Sequence, residues 1–593
     1  MGLILVLYTW WFPPQPQDPS VAPSTTQDRS NPGPQHNRAG SLDTLTATAS
    51  SAGNLPDSVL DRSPFGPWTR GTEVVHVLQN QDIKLQFTSK GGQLQQASLL
   101  GFRTYKGRPL NLFDSLGQMQ GYALLTPQKV WSSGDFYFKP QEATPRSLTY
   151  ALDLGQGRQI LHRYRLDSSG YRLRFSIQFV GMDSLLQNDY TTMQWAATGP
   201  SQERDVREER KSMEMYYRYT NDEPDYMSMG SSSEEDLNNN VQWISFRQKF
   251  FCAVLGAEKH FDRARIKGEP SEAADRTGRY QAELTLDHRA GSTDPFEMWM
   301  YLGPNHFQTL KAQDQGLEKQ VPLGWGIFGW VNRFLVIPVF NWLDSFGWNY
   351  GLIILVLTLI IKILLFPLSY QSLISGAKMK VLKPEVEELK SKFEKDPTRM
   401  QSEQMKLFQR AGVNPLGGCL PMLMQLPILI ALFNFFPASI ELRQQRFLWA
   451  DDLSSYDSIL DLPFEIPFYG AHVSLFTLLM TASTLLYTRI SNQMSGVTGQ
   501  MKVMGYVMPL MFIPVLNTYS AALSYYYFLA NMVSFGQQWL VRRFLIDEAA
   551  LLRKIEDNKK KPLKKSSFQQ KLEDLAKKAK ENRPAPAGPR RTK

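Results

Sequence analysis

Five apolar runs of membrane length fill the second half of this chain, and they constrain its fold more than any other feature. Crossing a hydrocarbon core of ~30 Å takes about 20 apolar helical residues. The runs place spans at about 349–370, 416–436, 472–489, 503–516 and 520–540. Several are short, and 503–516 contains Pro509 and Pro514. Short spans pull the bilayer thin around them. The mean hydropathy of −0.31 conceals the pattern, because the apolar residues are concentrated after Leu323 and the first half is polar. Lys362 is the only charge between Leu352 and Leu368. A cation at that depth costs at least ~3 kcal/mol, so it marks a polar cavity or a side chain that reaches back to the headgroups.

The first half has another period. Residues 1–12 are apolar but too short to cross a membrane, and they read as a truncated hydrophobic segment. Residues 13–64, rich in Pro, Ser, Thr, Gln and Asn, read as a flexible linker. Alternation then takes over. Ile83, Leu85 and Phe87 interleave with Lys84, Gln86 and Thr88, and Tyr171 to Phe179 repeat the pattern. Period two with turn signals between runs predicts one all-β domain over 65–320, a sandwich. The very polar stretch 201–240 is expected to be a long loop without a site. The two cysteines, Cys252 and Cys419, fall in different predicted compartments, so no disulfide is expected. Two cysteines are also too few for an ordinary zinc site.

Residues 323–346 carry Trp325, Phe328, Trp330, Phe334, Trp342 and Phe346, with Pro338 in the middle. Tryptophan favours the membrane interface, and the proline is expected to break the run. An in-plane amphipathic helix follows. The loop after the first span holds nine Lys and Arg residues between Lys378 and Arg410. The loop between the second and third spans holds Arg443 and Arg446 against six acids. The charge rule makes the first loop cytoplasmic and the second external, with the β domain outside and the basic tail 546–593 inside. The first loop predicts a helical hairpin over 376–412. Met379, Leu382, Val386, Leu389 and Phe393 form one stripe, and Asp396-Pro397 form the turn. The stripe either closes the hairpin on itself or also docks a partner. The tail repeats the ambiguity: the stripe Phe568, Leu572, Leu575 and Ala579 in a basic helix suits RNA phosphates or a lipid surface.

The membrane core is thus 349–545, and its polar residues are the candidate site. Beside Lys362 stand Thr358 one turn away, Gln425 and Asn434 in the second span, Thr481, Ser483 and Thr484 in the third, and Tyr527 and Asn531 in the last. Singly, each is an ordinary helix–helix hydrogen bond; together they predict a hydrated interior. No Asp or Glu lies in the spans, which disfavours a proton-coupled transporter. No nucleotide-binding, zinc-protease or serine-hydrolase motif occurs, so the expectation is a non-enzyme without cofactors.

Several runs together resemble a known family. Asn349-Tyr350-Gly351 leads through Lys362 to Phe366-Pro367-Leu368. Asn414-Pro415 and Gly418-Cys419-Leu420-Pro421 lead to Gln425-Leu426-Pro427, and Phe447-Leu448-Trp449-Ala450-Asp451-Asp452-Leu453 follows. Met508-Pro509-Leu510 and Tyr526-Tyr527 before Asn531 complete the set. These resemble YidC-type membrane protein insertases, in the Gram-negative form with a large periplasmic β domain. The resemblance implies a bacterial inner-membrane insertase and chaperone. Its partners would be nascent membrane proteins, the lipid bilayer, the Sec translocon and the ribosome, with neither DNA nor a small-molecule substrate. It implies a hydrated groove whose cation contacts clients. That cation is commonly arginine in the family and is Lys362 here, so the charge is kept and the two-pronged fork is lost. A polytopic transporter or channel with an external β domain is the alternative, and a sugar- or peptide-binding β domain anchored by the spans is a third reading.

Overall fold

The computed structural model describes residues 63–560, except 114–118, 128, 188–189, 288–293, 395, 414–419, 468 and 496–499. The expectations for the N-terminal segment, most of the linker, the Asn414–Cys419 motif and the tail stripe lie outside the described residues. A large β-rich region comes first and a helical region follows.

The β region is built from three antiparallel sheets. The nine-stranded sheet runs from edge to edge as Asp225–Ser228, Glu214–Tyr219, Val241–Arg247, Phe251–Phe261, Phe296–Pro304, Arg172–Val180, Arg158–Leu166, Ser147–Gly155 and Lys139–Ala143. A six-stranded sheet, centred on Arg276–Asp287 and Tyr190–Pro200, and a four-stranded sheet over 75–113 pack with it. The alternating residues Ile83, Leu85, Phe87, Leu173, Phe175 and Ile177 point into one shared core. Burial pushes the Cys252 thiol up to about 12, so it is inert.

The stretch 201–240 is not a loop. It forms a helix, α1 (Val206–Lys211), and the strands Glu214–Tyr219, Asp225–Ser228 and Ser233–Leu237. Asp205 caps α1 by accepting from the amides of Arg207 and Glu208. Glu234 and Asp236 on the last strand meet Arg265 on its neighbour at 3.6 and 2.6 Å. Edge strands with charged faces have the composition of loops, which is why the pattern misled.

The helical region opens with α2 (Gly326–Asp344). Pro338 does not break it; a π-helical turn over Asn332–Val336 precedes the proline and absorbs its missing N–H. The side chain of Asn332 is buried and donates to the carbonyls of Leu323 and Ala431, both at 2.7 Å. Trp325, Trp330, Phe334, Trp342 and Phe346 remain exposed along one side. Among the described residues α2 is the one helix long and apolar enough to cross a membrane alone.

The next helices are α3 (Tyr350–Leu364) and α4 (Phe366–Val381), bent by 61° at Leu365. Pro367 has no N–H to continue α3, and its ring collides with the preceding turn. The helix expected over 349–370 therefore bends after Leu364, and α4 continues from it in a new direction. α5 (Lys383–Lys392) and α6 (Pro397–Arg410) follow. Asp396 caps α6 through the Arg399 amide at 3.0 Å. Leu382 is buried with Phe408, Ala411 and Val413; Met379 and Val386 pack beside them, while Leu389 and Phe393 are half-buried. Then come α7 (Leu420–Ala438), α8 (Leu475–Ser495), α9 (Gln500–Asn517) and α10 (Ala521–Leu540). Among the described residues the last helix is α11 (Glu548–Lys560); its buried Ile555 packs with Leu382 and Phe408, and Lys559 pairs with Glu385 at 2.5 Å.

The two regions share a second core. Trp243, Val254, Trp299 and Tyr301, on the outer face of the nine-stranded sheet, belong to the same buried cluster as Leu323, Phe340, Leu357, Phe436 and Tyr526. Arg443, in the loop after α7, meets Glu203 at 2.7 Å with both side chains under 10% exposed (2% and 8%). Its guanidinium also donates to the Arg103 carbonyl at 2.7 Å and lies over the Phe251 ring. Truncating one partner of such a pair costs roughly 3–5 kcal/mol, because the other charge is left buried. Arg443→Ala should therefore loosen the seam, raising hydrogen exchange at residues 201–211 and 440–446; unchanged exchange there contradicts the account.

Glu209 lies next to this pair. Burial, and then the Glu203 charge, raise its carboxyl to about 7. The folded chain thus holds a proton that the unfolded chain releases at lower pH. Stability is full below the ordinary carboxylate value and falls as pH rises through about 7. The melting midpoint of the β region should drop between about pH 5 and 8 by the equivalent of roughly 2 kcal/mol. Glu209→Gln should flatten the profile, whereas a wild-type profile that is already flat would refute the assignment.

Candidate functional site: a buried lysine among three helices

Lys362 sits less than one turn before the bend at Leu365, so it lies nearer the end of its helix than a span over 349–370 implies. It is 5% exposed, and an ammonium in that position needs donors' partners close by. Two neighbouring helices supply them. Lys362 Nζ donates to Ser534 Oγ of α10 at 2.9 Å and to Gln425 Oε1 of α7 at 3.3 Å. Gln537 Nε2, one turn beyond Ser534, donates to the Lys362 carbonyl at 3.0 Å. That carbonyl is close to the end of α3, where the helix has no partner left for it. The cation and its own backbone are thus held by the same face of α10. No carboxylate takes part: α3, α7, α8, α9 and α10 contain no Asp or Glu.

A second polar cluster lies along α10 and α8. Asn531 Nδ2 donates to Ser483 Oγ at 2.9 Å and to Thr484 Oγ1 at 3.0 Å. Tyr527, one turn earlier on α10, is half-buried. Tyr527, Asn531, Ser534 and Gln538 are spaced four, three and four apart, so they line one face of the helix. The Lys362 cluster and the Asn531 cluster therefore form one polar row across α3, α10 and α8.

Other sequence-picked residues are placed differently. Thr358 is 1% exposed, and its hydroxyl donates back to the Ile354 carbonyl at 2.7 Å. Thr481 does the same toward Thr477 at 2.8 Å. Asn434 donates to the Ile430 carbonyl at 2.7 Å and lies beside Gly324, at the far end of α7 from Gln425. The structure brings Gln425 to Lys362 but not Asn434. The hairpin stripe lies on separate helices, among its own neighbours and α11. Ser534 and Gln537 escaped the sequence reading. The four-three spacing from Tyr527 through Asn531 was the available signal for Ser534.

Chemically the site is a cation with neutral hydrogen-bond partners. It holds no nucleophile–base pair. Among the described residues no group of three or more His, Cys, Asp or Glu could hold a metal. What it offers is a positive charge and spare acceptor and donor capacity inside an apolar bundle. Because the ammonium is buried without a counter-ion, replacing it by an apolar chain of similar length should not unfold the protein. Lys362→Met is expected to leave the melting midpoint in detergent unchanged or higher. A marked fall would make Lys362 a structural strut instead.

Known proteins share this arrangement of sequence. Residues 76–338 match the profile of the YidC periplasmic domain, and residues 342–548 match that of the 60Kd inner membrane protein. The membrane protein insertase YidC of Amoebophilus asiaticus (strain 5a2) is 36% identical over 593 residues, covering 97% of both chains. That of Parabacteroides distasonis is 36% identical over 611 residues, covering 97% of this chain and 95% of the relative. A crystal structure described as an active YidC insertase with its first transmembrane domain resolved aligns over 81% of this chain and 94% of that one, at 17% identity and a TM-score of 0.33. With near-full-length identity of this order, the chain belongs to the YidC family of membrane protein insertases.

Proposed function

We propose that this chain integrates membrane proteins into the bacterial inner membrane and uses the Lys362 row as the polar stage of that process. The observation that carries this reading is the buried ammonium with neutral partners, Ser534 and Gln425. An ion pair with a resident carboxylate would already be satisfied; a cation held only by neutral groups keeps its attraction for an incoming anion. The external segment of a client, polar or acidic, would rest beside Lys362. This lowers the cost of moving polar groups into hydrocarbon. The client's apolar segment would then leave along α7 and α9 into lipid, driven by burial of its helix and aided by the membrane potential. No nucleotide chemistry is needed.

In this reading α3, α7, α8, α9 and α10 cross the membrane, with the β region outside and the basic tail inside. The loop charges support that orientation. α2 lies in the outer interface, since its exposed tryptophans suit headgroup depth better than the lipid core. The hairpin would receive clients from the cytoplasm, and the tail would meet the ribosome. A chaperone role and work beside the Sec translocon extend the same polar stage to clients that the chain does not insert alone.

The test is insertion of a single-span client with an acidic external tail into proteoliposomes. Lys362→Arg should insert like wild type, and Lys362→Ala should lose about tenfold, the effect of ~1.4 kcal/mol on a rate. Lys362→Glu should fail on this client and recover when its tail is made basic. Equal insertion by all variants would leave the family role standing and remove the groove charge from the mechanism.

A further inference from the structure

α7 runs between Lys362 and the β region. Near one end it carries Gln425, whose Oε1 accepts from Lys362 Nζ at 3.3 Å. Beyond its other end the chain passes through a 3₁₀ turn, Ile440–Leu442, to Arg443 and Gln444. This exit is built into the β region. Ile440 is 8% exposed and, among the described residues, is the one member of the β core that follows Leu302. Glu441 meets His306 at 3.3 Å. Arg443 holds buried Glu203 and donates to the Arg103 carbonyl, and Gln444 Nε2 donates to the same carbonyl at 2.9 Å. The loop before α8 meets the β region differently: its Asp461 and Glu465, which pair with Arg204 and Arg207, are open to solvent.

A second tether grips α7 in the middle. The amide of buried Asn332 donates both to the Ala431 carbonyl and to that of Leu323, close to where the chain leaves the β region. α7 is thus held at Ala431 and again at Ile440–Gln444, and both holds lead back to the β region. Gln425 lies only ~9 Å along the helix from Ala431 at 1.5 Å per residue. Pro427 and Pro437 each remove an N–H but the helix continues through them. A contact of 3.3 Å is already at the long end for a hydrogen bond. A slip of α7 by one residue's rise, ~1.5 Å, carries Gln425 out of reach of Lys362.

We propose that the β region sets the axial position of α7, with Asn332 and Arg443 as positioning residues, and thereby decides whether Lys362 is shared between Ser534 and Gln425 or left to Ser534. The proposal rests on the role given to Lys362 above. It assigns the β region a part in the insertion site, exerted through one helix.

Spin labels test the position, and insertion tests its use. Cys419→Ser leaves buried Cys252 as the one native thiol. Ile363→Cys on α3 and Leu426→Cys on α7 flank the contact and are both exposed; Ile363→Cys with exposed Trp539→Cys on α10 is the control pair. Arg443→Ala and Asn332→Ala should each move the 363–426 distance by ~1.5 Å or more, or broaden it, and leave the 363–539 distance unchanged. Asn332→Ala decides alone if Arg443→Ala does not fold. An unchanged 363–426 distance in a folded variant overturns the proposal. So does an equal change in both pairs, which is general loosening. In proteoliposomes both variants should lose insertion of the acidic-tailed client to the same degree as Gln425→Leu, and should add no further loss when combined with it. Additive losses overturn action through Gln425. A displaced α7 with full insertion by every variant, Gln425→Leu included, upholds the positioning and removes the Lys362–Gln425 contact from the reading above.

Discussion

A positive charge inside an apolar bundle must be solvated by something, and this requirement organises the helical half of the molecule. Lys362 finds no partner on its own helix, where the hydroxyl of Thr358, one turn away, is turned to the Ile354 carbonyl and the other neighbours are aliphatic. Its hydrogen bonds must therefore come from α7 and α10, which fixes their register against α3. The Gln537 bond to the Lys362 carbonyl works in the same direction. Hydrophobic packing alone is permissive about sliding, since one leucine row resembles the next. The few polar contacts favour one register over its neighbours and add little to stability.

The choice of lysine matters here. An arginine presents a rigid planar fork of five donors, whereas a lysine presents three donors on a flexible stem. Two of the Lys362 donors are engaged by the two neutral oxygens, which leaves capacity for one more acceptor. The site is thus a point charge on a flexible stem, not a fork of fixed geometry.

The sequence made the architecture legible wherever a single period ran uninterrupted. Alternation at Ile83–Phe87 and Tyr171–Phe179 marked strands that bury one face. Failures came where another force overrode the pattern. Pro367 bent the chain before the hydropathy ended, so the one helix read over 349–370 is two, α3 and α4. Pro338 was expected to break α2, but a π turn took up the missing hydrogen bond. The charged strand Ser233–Leu237 passed for loop because its partners, such as Arg265, are remote in sequence. The candidate site divided along the same line. Lys362 and Gln425 could be picked as polar exceptions in apolar runs. Asn434 looked equivalent, yet it lies toward the other end of α7, beside Gly324 and away from Lys362. Ser534, small and common in helices, announced itself only through its spacing.

The 61° bend at Leu365 joins two helices of nearly equal length, 15 and 16 residues, but the charge sits close to it. The outer arm, α4, extends ~24 Å at 1.5 Å per residue, while Lys362 lies only ~5 Å back from the bend. The geometry is that of a lever with its fulcrum beside the charge. A sideways push at the far end of α4 would reach the ammonium reduced about fivefold in amplitude by this ratio. Force would be multiplied by the same factor. Large, soft movements on one side of the bend thus translate into small, stiff ones at the residue that the rest of the bundle is arranged to hold.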